Sequence, residues 1–164
     1  MSRIILWLAM ALLILAISGC AGAPEQPSPI RQALVSLSER AAQLVLKEPV
    51  WNRPTTEVVI LLSAPKVDAS LGIDTERLHE NLTRALLAQQ KGPQVLDWTP
   101  VLADTEAPDN QWLLKCELVS DGPRLTLSDR DLLPYRLTLS LRRPGEEAPR
   151  WQRHISGAID VTTL

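Results

Sequence analysis

Apolar positions along this chain recur with two different periods. Ile30, Leu34, Leu37, Ala41 and Leu44 lie three and four residues apart, the spacing of one helical face. Ser28 and Pro29 ahead of them have the chemistry of an N-cap and a first helical residue. Lys47 suits the negative end of the helix dipole, and Pro49 stops the helix. This spacing predicts a helix over 30–48 that docks on the rest of the domain, with a partner-binding arm as the alternative. The period then shortens. Glu57-Val58-Val59-Ile60-Leu61-Leu62, within 55–64, is apolar on both faces and predicts a strand covered from two sides. Pro65 to Gly72 reads as a loop. A second helix follows, capped by Asp74, with Ile73 and Leu78 placed as a hydrophobic staple. Leu78, Leu82, Ala85 and Leu86 form its apolar stripe, and Lys91-Gly92-Pro93 closes it. Val95-Leu96-Asp97-Trp98 predicts a short strand.

The second half alternates with period two. Residues 103–111 are a polar, acidic loop, and Trp112–Val119 is a strand. Residues 120–134 hold Asp-Gly-Pro and Ser-Asp-Arg-Asp and read as an extended loop, in which Leu125-Thr126-Leu127 could pair briefly. Tyr135, Leu137, Leu139 and Leu141 share one face, opposite Arg136, Thr138, Ser140 and Arg142. Pro144-Gly145-Glu146-Glu147 is a turn. Trp151, Arg153, Ile155, Gly157, Ile159 and Val161 then share a face, opposite Gln152, His154, Ser156 and Ala158. The order helix, strand, helix and four strands predicts an α+β (α/β) fold. Its sheet is small and mixed, of four to five strands, parallel in the first part and antiparallel at the end, with two to three packed helices. Residues 30–164 are expected to form one domain, with a leading helix at 30–48 and a sheet-helix core at 55–164.

The N-terminal segment has a different pattern. Arg3 precedes an unbroken apolar run from Ile4 to Ile17. A cationic start followed by such a core is the form of a secretory signal. As a helix the run would span roughly 21 Å, short of a ~30 Å hydrocarbon layer, so a permanent transmembrane helix is the weaker reading. It ends in Ile17-Ser18-Gly19-Cys20, which resembles a bacterial lipobox. The resemblance implies cleavage between Gly19 and Cys20, so that 1–19 is a signal peptide and Cys20 the acylated N-terminus. Ala21 replaces the aspartate that retains such proteins at the inner membrane, and the same resemblance then implies a periplasm-facing outer-membrane anchor. Ala21–Pro29, with three prolines, makes a tether of at most ~30 Å.

Composition narrows the function. The 164 residues allow one domain, and 45% apolar with 22% charged residues is ordinary for a globular chain. Residues 1–19 carry one cation, Arg3, and no anion, so the remainder has 16 Lys+Arg against 19 Asp+Glu, a net of -3. That balance argues against nucleic acid as a partner. Cys116 has no partner within the chain once Cys20 is acylated, and its parity with Leu114 and Leu118 places it in the core. His79 is expected on the exposed part of its helix and His154 on the polar face of its strand. His79-Glu80-Asn81-Leu82-Thr83 lacks the second histidine of a zinc-protease helix, and no metal site is expected. No phosphate-binding glycine loop or Gly-x-Ser-x-Gly occurs, so no cofactor is implied. Asn81-Leu82-Thr83 matches a glycosylation sequon but lies inside a helix of a bacterial-type chain and is set aside. The carboxylate pairs Asp129/Asp131, Glu146/Glu147 and Asp104/Glu106 lie in polar loops, whereas a catalytic pair needs burial to split its pKa values. No catalytic residues are assigned. Arg136, Arg142, Arg143, Arg150 and Arg153 cluster in the last hairpin and are the candidate partner-binding surface.

Residues from about Val58 to Asp160 resemble the LpoB-type lipoproteins that activate a bifunctional penicillin-binding protein, and more distantly the TolB N-terminal domain and the CsgG lipoprotein. The resemblance is carried by the strand Val58–Ala64, the capped helix leading to Val95-Leu96, and three closing segments. These are Trp112-Leu113-Leu114, Tyr135-Arg136-Leu137-Thr138-Leu139 and Trp151-Gln152-Arg153-His154-Ile155-Ser156-Gly157. It implies a TolB-N/LpoB-like fold and a non-enzymatic envelope lipoprotein that binds another envelope protein, including a peptidoglycan synthase. The chain departs from that pattern in its short tether, its leading helix and Glu117-Leu118 where a glycine is usual. From the residues themselves, a subunit of a secretion or pilus-type assembly and a cell-wall-binding or hydrolytic module remain as alternatives.

Overall fold

The structure, a computed structural model, describes residues 28–47, 50–99 and 108–162. The expected signal peptide, Gly19, Cys20, the 21–27 part of the tether and the Asp104/Glu106 pair lie outside these residues. Helix α1 is Pro29–Lys47 and helix α2 is Thr75–Leu87. The strands are β1 (Val59–Leu62), β2 (Lys66–Val67), β3 (Gln94–Asp97), β4 (Gln111–Ser120), β5 (Leu125–Thr126), β6 (Asp131–Arg142) and β7 (Trp151–Asp160). The fold is α+β, as the pattern predicts.

Both caps form where the sequence places them. The Ser28 carbonyl accepts from the Gln32 N–H at 3.1 Å, and its Oγ lies 3.4 Å from the Arg31 N–H. The Asp74 carboxylate accepts from the Arg77 N–H at 2.8 Å. Helix α1 buries Leu34, Leu37, Ala41, Ala42 and Val45. It packs beside α2 and reaches β7, so its apolar stripe is spent within the domain.

All strands belong to one sheet, in which β3, β1, β4 and β6 are successive neighbours. β1 pairs parallel with β3 and β4, whereas β4, β6 and β7 are antiparallel. Leu132 of β6 pairs with Asp160 on one side and Leu125 on the other, so β5 continues the line of β4 and β7 is an edge. The sheet has seven strands rather than four to five. The two additional ones, β2 and β5, are two-residue strands in segments expected as loops, and β5 is the brief pairing anticipated at Leu125-Thr126. Neither carries the alternation that reveals a strand. Each exists because a long neighbour, β4 or β6, offers free backbone groups beside it. β6 also starts earlier than its alternation, passing through Pro134. Pro134 sits at the end of the β4 ladder, where only its carbonyl is engaged, by the Asp121 N–H at 3.1 Å.

Register places the core. Leu114↔Leu141, Cys116↔Leu139 and Leu118↔Leu137 face the helices, while Lys115↔Ser140 and Glu117↔Thr138 face away. β1 is buried at every position. Ile60 and Leu62 join the helix-side core, and Val59 and Leu61 form a second cluster with Leu113 and Trp98 on the other face. The two-sided burial expected for this strand is present.

One glycine is set by close approach. Gly157 lies opposite Tyr135 on the helix face, and a Cβ there would meet the Tyr135 hydroxyl at 2.6 Å and its Cζ at 2.8 Å. Tyr135 is itself buried and cannot swing away. Gly157→Ala is therefore expected to destabilise the fold by about 1–3 kcal/mol. Chemical denaturation of the double variant with Tyr135→Leu should recover most of that loss. Strict additivity of the two changes would show that this contact is not the cause.

Candidate functional site

The five arginines do not form one patch. Arg142, Arg143 and Arg150 meet at the β6–β7 turn. Arg150 holds Glu146 bidentately, with its Nε 2.8 Å from Oε2 and its Nη2 on Oε1. The side-chain hydrogen bond from Arg150 holds the Glu146 carboxyl below its usual range. Arg142 donates to the Glu146 carbonyl. Arg143 lies 4.2 Å over the Trp112 ring and donates to the carbonyls of Asp109 and, at 3.1 Å, Gln111. A polar hollow of about 370 Å³ is lined here by Pro108, Asp109, Arg143, Pro144, Glu146 and Arg150. Arg136 lies further along β6 and binds Asp121 at 2.6 Å. Arg153 sits on the helix-facing parity of β7, 5.7 Å over the Trp151 ring, and donates to the Gln152 carbonyl at 2.9 Å. Each guanidinium thus has a partner in the domain. The cationic face read from the sequence is largely a set of braces for the hairpin.

A groove of about 630 Å³ runs between α2 and β3. Its lining includes Glu76, His79, Glu80, Thr83, Arg84 and Asp97. His79 does not stand on the exposed face as expected. Its side chain is only 16% exposed, and Nε2 lies 3.3 Å from the Asp97 carboxylate, an ion-pair distance without hydrogen-bond geometry. The sequence could not supply this pair, because Asp97 reaches His79 only when β3 packs under α2. Asp97 is 73% exposed, so solvent screens the pair. Among the described residues no cluster of three His, Cys, Asp or Glu side chains could hold a metal ion.

The other candidates are tied down individually. Asp129 binds Arg130 at 2.7 Å, and Asp131 lies 3.9 Å from Arg124. The side-chain hydrogen bond from Arg130 lowers the Asp129 carboxyl. These carboxylates face solvent and cations rather than each other. His154 Nδ1 lies 3.0 Å from Thr138 Oγ1 on the sheet face away from the helices. Ser63, Lys66, Lys115, Glu117, Thr138 and Ser140, with Ala64 and Cys116, line a hollow of about 250 Å³.

Cys116 is 3% exposed and sits in the core as its parity predicts. Burial pushes its thiol from an ordinary 9.0 up to about 12. The unfolded chain therefore ionises it first as pH rises. Its contribution to stability is complete below pH 9 and is lost between pH 9 and about 12. The slope in that window approaches about 1.4 kcal/mol per pH unit. Urea titrations at pH 8, 9.5 and 10.5 should show the loss in the natural chain and a smaller one in Cys116→Ala. Parallel pH curves for the two chains would refute this assignment.

No family model matches the chain, and no curated protein matches it. Three solved structures are similar in part. A neuraminyllactose-binding hemagglutinin homolog from Helicobacter pylori is 15% identical with a TM-score of 0.39, over 68% of this chain and 70% of that one. Protein XCC0632 from Xanthomonas campestris, of the DUF330 family, is 12% identical with a TM-score of 0.44, over 71% and 74%. Lipoprotein GNA1162 from Neisseria meningitidis is 9% identical with a TM-score of 0.42, over 65% and 86%. Likenesses of this size assign neither a family nor an activity to this chain.

Proposed function

We propose that this protein is a bacterial envelope lipoprotein, anchored through Cys20 in the periplasmic leaflet of the outer membrane, whose domain acts by binding another envelope protein. The observation that carries the reading is Arg3, the Ile4–Ile17 run and Ile17-Ser18-Gly19-Cys20 occurring in that order. The side chains support a role without catalysis. The carboxylates of the Asp129/Asp131 and Glu146/Glu147 pairs are engaged by arginines or exposed, and the thiol is buried and held protonated. A tether of ~30 Å requires the partner to come close to the anchoring leaflet. A peptidoglycan synthase with a domain reaching that leaflet is the partner class favoured by the LpoB-type resemblance. The alternative of a leading helix that packs on a neighbouring subunit loses support, because α1 buries its apolar stripe against its own domain.

Cross-linking of the full-length protein in its native envelope tests the proposal. We expect a discrete adduct containing a second envelope protein, seen in the presence and absence of added salt. Absence of any protein adduct, together with turnover of muropeptides by the purified chain, would overturn it.

A further inference from the structure

β7 is an edge strand of ten residues, and no other described strand pairs along its outer side. The pairing parity determines which backbone groups are free there. The Val161 N–H donates to the Asp131 carbonyl at 2.9 Å, so in this regular ladder the odd-numbered residues of β7 turn their N–H and C=O groups to β6. Gln152, His154, Ser156 and Ala158 turn theirs outward, and all four residues are exposed. The position of Pro134 opposite Ala158 agrees, since a proline fits a pair that exchanges no hydrogen bonds.

Helix α1 runs beside this edge. A groove of about 380 Å³ between them is lined by Arg40, Gln43, Leu44 and Lys47 of α1 and His154, Ile155 and Ser156 of β7. Arg40 and Lys47 are exposed, and no carboxylate of the described residues lies within ion-pair distance of either. Among the described residues no acidic side chain lines the groove. Asp160, at the far end of the strand, is occupied by Thr162. These cations differ from the hairpin arginines, each of which has a partner in the domain.

We propose that the α1–β7 edge is a docking site for an extended acidic segment of a partner protein, which adds to the sheet beside β7. The outward backbone groups of His154, Ser156 and Ala158 and the Gln152 N–H supply the hydrogen bonds of strand addition, the Gln152 carbonyl being held by Arg153, and Arg40 and Lys47 select for carboxylates along one side. A second copy of this chain is disfavoured as the occupant, because two-fold pairing of β7 edges brings like charges together. The inference rests on the reading of this domain as a protein-binding module and names the site and the partner's chemistry.

The test uses the full chain in detergent micelles and a fluorescein-labelled ten-residue peptide alternating threonine and glutamate. Three comparisons accompany it. One peptide carries lysine in place of glutamate, one keeps the glutamates but is N-methylated at alternate residues, and one protein carries Arg40→Glu with Lys47→Glu. The acidic peptide should bind, and the lysine peptide should not. N-methylation and the double charge reversal should each weaken binding by about tenfold or more. Amide exchange at Gln152, His154, Ser156 and Ala158 should slow by about tenfold or more at saturation, while Arg153, Ile155 and Gly157, already bonded to β6, stay unchanged. Equal binding of the N-methylated peptide, indifference to the charge reversal, or protection elsewhere would overturn the site. Concentration-dependent protection of the same amides without peptide would make a second copy the occupant and also overturn it. An envelope adduct that forms equally well with the Arg40→Glu, Lys47→Glu chain would remove this site and leave the proposed function standing.

Discussion

Trp112→Ala is expected to cost roughly 3–5 kcal/mol, a large part of the ~5–15 kcal/mol that holds a domain of this size folded. Trp112 is 1% exposed and lies where three parts of the structure meet. Its ring centroid is 6.2 Å from that of Trp51, tilted by 55°, and Arg143 covers it at 4.2 Å. Its strand pairs with β1 on one side, through Ile60, and antiparallel with β6 on the other. Truncation leaves a cavity that rigid sheet backbone cannot close, and it strips the apolar partner from Trp51 and the stacking surface from Arg143. The indole Nε1 is buried without an acceptor, so Trp112→Phe removes an unsatisfied donor along with the lost volume and should cost much less. Guanidinium denaturation followed by circular dichroism measures both. The midpoint should fall sharply for Trp112→Ala with the slope retained. A loss below about 1 kcal/mol would contradict the central position given to this side chain.

Cys20→Ala is the second large effect, and it is expected to be complete. Under the proposed function the Cys20 thiol is the atom that takes the diacylglycerol, and cleavage before Cys20 would depend on that acylation. The variant should carry no label after growth with radioactive palmitate. It should also run as an uncut precursor, larger by residues 1–19. Under the proposed function each buried acyl CH₂ of the natural chain would contribute ~0.8 kcal/mol, so multiple chains would hold it in the leaflet even when salt is raised. Label retained by Cys20→Ala, or a natural chain of unmodified mass, would remove the basis of the envelope assignment.

Much of the fold is legible because it is local. Ser28, Asp74 and the Ile73–Leu78 spacing act within one helical turn, and the helices begin where those residues place them. The alternation of Tyr135–Leu141 and Trp151–Val161 reports a sheet with one face buried, and the register confirms the parity. β2 is not legible, because its pairing is imposed by the neighbour, whereas the brief pairing anticipated at Leu125-Thr126 is present as β5. The candidate site divides in the same way. Cys116 could be placed in the core from its parity with Leu114 and Leu118 alone. The hairpin arginines could be seen as a cluster of charge. That Arg150 would be taken up by Glu146, and Arg136 by Asp121, depends on how the chain turns back on itself.

The order and direction of the main elements, their caps and their buried faces follow from the sequence by itself, since they depend on backbone geometry and on neighbours a few residues away. The tertiary structure alone decides which charges are spent and which are left over. Ionic partners are chosen by distance in space, and residues such as Arg40 and His154, or His79 and Asp97, become neighbours only when helices settle against particular strands.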